Sequence, residues 1–94
     1  MLCKVLLKMH SNACEAKELM CKANMYREHH RRAADWYRDM ALMHVQFNTL
    51  GREIVREEMA LDMDEGERRV YEAMAGQIMD ECQEARLAVE LYKA

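Results

Sequence analysis

Read in alternating steps of three and four, the chain carries an apolar or small side chain at nearly every stop across its first two thirds. From Leu2 the series runs Val5, Met9, Asn12, Ala16, Leu19, Ala23, Tyr26, His30, Ala33, Tyr37, Met40, His44, Phe47, Gly51, Ile54, Glu58 and Leu61, and the phase does not slip. That period belongs to an α-helix, not to the alternation of a strand. Leu6, Met20, Ala34, Ala41 and Val55 stand beside the stripe and make it broader than a two-stranded coiled-coil seam. A second series, Tyr71, Ala75, Ile78, Cys82, Ala85, Val89 and Tyr92, repeats the spacing towards the C-terminus. There Ala75, Gly76, Ala85 and Ala88 are small enough for a partner helix to come close.

Three places interrupt the pattern. Asn12 can cap a helix, with Glu15 at capping-box distance, and Asn48-Thr49-Leu50-Gly51 pairs a cap residue with a glycine. The clearest break is Asp62-Met63-Asp64-Glu65-Gly66, whose acids suit the positive first turn of a following helix. The reading is helices over about 13–50, 52–62 and 65–93, with residues 1–11 available for a further short helix. An unbroken arm over residues 13–61 would span roughly 73 Å, against about 42 Å for the last helix. The arm therefore breaks near Asn12 or near Gly51, or it protrudes and pairs with a second copy. The expected fold is all-α: an antiparallel helical hairpin or three-helix bundle with a long N-terminal helical arm, dimeric because a lone hairpin leaves much of the stripe wet.

Composition agrees. Proline is absent, glycine occurs three times and methionine ten times in 94 residues. Helix formers dominate and β-branched residues are scarce. The length suits one domain, 1–94, with a modest core. No run reaches the about 18 apolar residues of a membrane span, and Lys4 and Lys8 break the apolar N-terminus, which has no small-residue cleavage site. Cys3, Cys14, Cys21 and Cys82 form no C-x-x-C pair and read as reduced thiols, which points to the cytoplasm. Charge is uneven: residues 1–50 hold eight Lys/Arg against five Asp/Glu, and residues 51–94 hold six against twelve, for a net −3.

No constellation marks an enzyme. His30 and His44 lie fourteen residues apart on the stripe, roughly 21 Å along one helix, and no Glu-x-x-His pair of a di-iron bundle occurs. Each reads as a stripe residue with a hydrogen-bonded ring. His10 and Cys14, at i and i+4, share a helix face as zinc ligands can, but Cys82 or Cys21 would have to complete the set. Isolated glycines offer no oxyanion or phosphate cradle. The expectation is no catalytic residue, no metal and no cofactor.

What remains is contact chemistry. Arg27, Arg31, Arg32 and Arg38, with Lys17, Lys22, His29, His30, Trp36 and Tyr37, make a basic stretch in which Arg31 can pair with Asp35. Met40, Met43, Met59, Met63, Met74 and Met79 spread beyond the stripe and suit adaptable contacts. The function expected is a non-enzymatic protein–protein interaction module. Trp36, Tyr37, Arg38, Met40 and Arg31 form its contact face, and Glu57, Glu58, Asp62, Asp64 and Glu65 an acidic patch. Tyr26, His30, His44, Phe47, Ile54, Tyr71, Ile78 and Val89 are its core or dimer stripe. A specific version is an inhibitor of a nucleic-acid-processing effector, of the kind phages and mobile elements encode. The alternative is a nucleic-acid-binding accessory protein using the Arg27–Arg38 face, which salt-dependent binding would reveal.

Overall fold

The computed structural model describes residues 2–92. It holds three α-helices, α1 (Leu2–Tyr26), α2 (Arg31–Met59) and α3 (Glu65–Glu90), with no strand among the described residues. Together they make a rod of 53 × 17 × 17 Å in which α1 packs against both other helices, most extensively α2. No helix among the described residues is long and apolar enough to cross a membrane.

The N-terminal arm breaks once, at residues 27–30, and neither at Asn12 nor at Gly51. The helix expected over 13–50 is thus two helices, residues 2–11 are the first turns of α1, and most of the 52–62 segment is the end of α2. Met1, placed in the expected short helix, and residue 93, the expected end of the last helix, lie outside the described residues. The turn is silent in the sequence because it has almost no local chemistry. His30 occupies the N-cap of α2 without a side-chain cap bond, and no acid stands in the first turn. Arg31 and Arg32 even oppose the positive end of the helix dipole. The Tyr26 carbonyl closes the turn, accepting from His29 N at 3.2 Å and His30 N at 2.8 Å.

Tertiary burial drives the fold-back instead. Ala13, Ala16 and Ala23 of α1 meet Ala41 of α2 and Ala85 and Val89 of α3 around Met20, so the backbones approach closely in this half of the rod. The other half is filled by larger groups, Leu2, Leu6, Met9, Val55 and Ile78. Leu6, Met9 and Met20 are the largest fully buried side chains, a small apolar core for a chain of this length.

Asn12 and Gly51 have core duties that replace the breaking roles read from the sequence. Asn12 Nδ2 donates to Asn48 Oδ1 at 3.2 Å, and Asn48 Nδ2 reaches the Met9 carbonyl at 3.0 Å and Cys82 Sγ at 3.3 Å. His44 Nδ1 lies 2.8 Å from Asn12 Oδ1. A buried polar pair satisfied this way fixes the register of helices whose apolar surfaces alone would slide. At Gly51 a Cβ would fall 2.7 Å from Met9 Cγ, so the missing side chain is what lets α1 lie against α2.

The α2–α3 turn follows the chemistry read from the sequence. Asp64 caps α3 by accepting from Gly66 N at 3.2 Å, and Glu65 and Glu67 occupy its first turn. Arg68 then reaches back across the turn, donating to the Met59 carbonyl at 2.7 Å and the Leu61 carbonyl at 3.2 Å. It satisfies one carbonyl that the end of α2 leaves open and one in the turn beyond it.

Candidate functional site

On α2 the residue row facing the core is Ala34, Ala41, Asn48, Gly51 and Val55. This row lies beside the stripe traced in the sequence, and the shift changes which stripe residues are covered. Ile78 and Val89 are buried and His44 and Tyr71 half-buried, while Tyr26, His30, Phe47 and Ile54 are exposed. Tyr26 ends α1 and His30 caps α2, whereas Phe47 and Ile54 belong to a second apolar row about a third of a turn round α2 from the buried one. It runs Trp36, Met40, Met43, Phe47, Leu50 and Ile54, again in steps of four and three. Trp36 is 58% exposed, Met43 64%, Phe47 52%, Leu50 65% and Ile54 40%, and Met40 is half-buried. Single wet apolar residues are ordinary on a protein surface. Five at one helical phase, with half-buried Met40 among them, form a seam, the pattern one helix offers to another.

α1 gives the seam a second wall. Lys4, Val5 and Lys8 face Phe47, Leu50 and Ile54 across a groove with Met9 and Gly51 in its floor. A second groove, bounded by Lys8, Asn12, Met40, Met43, His44 and Phe47, continues it. Both share Lys8 and Phe47, so one apolar channel follows α2 from Ile54 to Met40, with lysines along one rim. At its far end Tyr26 and Tyr37 stack with centroids 5.7 Å apart, Trp36 sets its edge against Tyr37 at 5.2 Å, and Lys22 Nζ lies 5.8 Å over the Tyr37 ring. His30 meets Tyr26 edge-on at 6.0 Å.

Of the contact residues read from the sequence, Trp36 and Met40 lie on the seam. Tyr37 turns inward to its stack, Arg38 pairs with Asp39 at 3.3 Å, and Arg31 pairs with Asp35 at 3.8 Å. Leu50 went unrecognised. Its signal was there, at three residues from Phe47 and four from Ile54, but it was hidden because two adjacent phases of α2 are both apolar. The acidic residues Glu57, Glu58, Asp62, Asp64 and Glu65 gather around the α2–α3 turn. Two of them are engaged within the fold, Asp64 as the cap of α3 and Glu65 with Arg69 at 3.9 Å.

A different chemistry sits where α1 meets α3. His10 Nδ1 hydrogen-bonds the Glu81 carboxylate, Cys14 Sγ lies 3.8 Å from His10 Nε2, and Lys17 pairs with Glu84 at 3.3 Å. The third member beside His10 and Cys14 is therefore Glu81, and not Cys82 or Cys21. Cys82 points to Asn48, where burial pushes its thiol pKa up and the Asn48 hydrogen bond only partly offsets the rise. The order thiol, imidazole, carboxylate has the connectivity of a nucleophile, a base and its orienting group. Yet Cys14 stands mid-helix, where neighbouring peptide N–H groups are consumed by the helical ladder and are not free to act as oxyanion donors. No protein-family model matches the chain, and neither a curated protein nor a solved structure matches it.

Proposed function

We propose that the protein is a non-enzymatic protein–protein interaction module whose working surface is the wet seam of α2, and that the seam closes on the same seam of a second copy running antiparallel. The observation that carries this reading is the seam itself, with the two charges that bracket it. One step before Trp36 stands Arg32, and one step after Ile54 stands Glu57, both exposed and both without an ion pair among the described residues. Antiparallel pairing sets Trp36 against Ile54, Met40 against Leu50 and Met43 against Phe47, and it brings Arg32 onto Glu57 at both ends. The row is self-complementary in size and in sign. Parallel pairing would instead stack like charges at each end.

The test is the mass of the particle in solution, by light scattering or sedimentation across a wide concentration range. Dimer is expected for the wild type. Phe47→Asp and Leu50→Asp, at positions already half or more exposed, are expected to give folded monomers with unchanged helical circular dichroism. A photo-crosslinker at position 36 should join the region of Ile54 in the second copy. A wild-type monomer at the highest attainable concentration overturns the reading, as does a dimer indifferent to both aspartates.

A further inference from the structure

We infer that His10, Cys14 and Glu81 form a binding site for a zinc ion that ties α1 to α3. This goes beyond the seam, for the site lies on the opposite flank of α1: Lys4, Val5 and Lys8 border the groove with α2, whereas His10, Cys14 and Lys17 face α3. One donor atom from each of the three residues lies within 4.8 Å of the other two. His10 turns Nδ1 to Glu81 and Nε2 to Cys14, so a turn of the ring and small side-chain shifts bring the donors to the roughly 3.3–3.8 Å separations around one zinc. Two of the three are fixed relative to each other by the helix, since i and i+4 stand one above the other on a face. The third arrives from a helix held in place by the core, so little chain entropy is lost on closing the site. His10 and Glu81 are 48% and 22% exposed at the side chain, open enough for an ion to enter.

The donor set selects the ion. One imidazole nitrogen, one thiolate and one carboxylate suit zinc, which accepts all three, whereas magnesium and calcium want oxygen alone and copper(I) wants sulfur. With the thiol ionised on binding, the two anionic ligands balance the dication. Lys17, one turn beyond Cys14, is held by Glu84. Three protein ligands leave a fourth position to water or to a group from a partner.

The full reduced chain, titrated with zinc against a chromophoric chelator and separately with cobalt(II), tests the site. One equivalent of zinc should bind, the cobalt adduct should show thiolate-to-metal charge transfer in the near ultraviolet, and zinc should raise the melting temperature. His10→Gln, Cys14→Ser and Glu81→Gln should each weaken zinc at least tenfold, and Cys14→Ser should abolish the charge-transfer band. Cys3→Ser and Cys21→Ser, at the other exposed thiols, should change nothing. The inference fails if binding survives Cys14→Ser or His10→Gln, if it depends on Cys3 or Cys21, or if no stoichiometric zinc binds.

Discussion

Gly51 and Gly76 both sit inside helices, and the same substitution should move them in opposite directions. A Cβ at Gly76 meets nothing within 4 Å, so Gly76→Ala gains only helix propensity and should stabilise by about 0.5–1 kcal/mol. At Gly51 the new methyl would press on the inner part of the buried Met9 side chain. Overpacking of about 1–3 kcal/mol outweighs the propensity gain of about 1 kcal/mol, and Gly51→Ala should destabilise. Urea midpoints compared at unchanged m-value check both signs. Cys82 offers a second residue-level test. The thiolate is the form that alkylates, and burial raises the Cys82 pKa, so Cys82 should react with iodoacetamide after the exposed Cys3, Cys14 and Cys21. The linkage sign follows from a raised folded-state pKa in a group that ionises to an anion. Its contribution to stability is complete below the ordinary thiol range and is lost as pH climbs through that range towards the raised value. Replacing Cys82 with Ala should therefore flatten the alkaline limb of the stability curve.

At the level of elements, the two turns differ in how much of them could be read from the residues. The α2–α3 turn is written in local chemistry: Asp64 caps, acids fill the first turn of α3, and the start at Glu65 was legible. The α1–α2 turn has no such marks, because the hairpin is imposed by alanine-lined faces distant in sequence, while the apolar period runs on through Arg27–His30 as though nothing happened. Asn12 misled for a related reason. A polar residue on an apolar stripe reads as a cap until its partner, Asn48, is brought beside it by the fold. The contrast is measurable. Asp64→Ala should cost about 1 kcal/mol by removing a working cap, whereas His30→Asp should add about 0.5–1 kcal/mol by supplying one next to Arg31 and Arg32. Thermal melts in dilute buffer would reveal either; a neutral His30→Asp would mean that the edge contact of His30 on Tyr26 is worth as much as the missing cap.

For the whole molecule, the seam and its end charges make a prediction that depends on orientation alone. An antiparallel pair contains two Arg32–Glu57 contacts, both at the solvent-exposed ends of the row, each worth about 0.2–1 kcal/mol. Arg32→Glu turns both contacts into acid facing acid, which should raise the dissociation constant by roughly thirtyfold if each reversal costs about 1 kcal/mol, the upper end of that range. Glu57→Arg alone should do the same by setting base against base. Combining them restores opposite charges at both ends, and the double variant should regain most of the wild-type affinity, with the rescue fading as salt is added. In a parallel pair Arg32 would face Arg32 and Glu57 would face Glu57, so the double variant would only exchange one set of like charges for another and no rescue could arise. Sedimentation equilibrium on the four proteins separates these cases without a further structure. The outcome also bears on the basic stretch. If Arg32 is engaged by a second copy, a phosphate backbone must compete with Glu57 for it, and any nucleic-acid affinity should be stronger in Phe47→Asp, the monomeric form, than in the wild type.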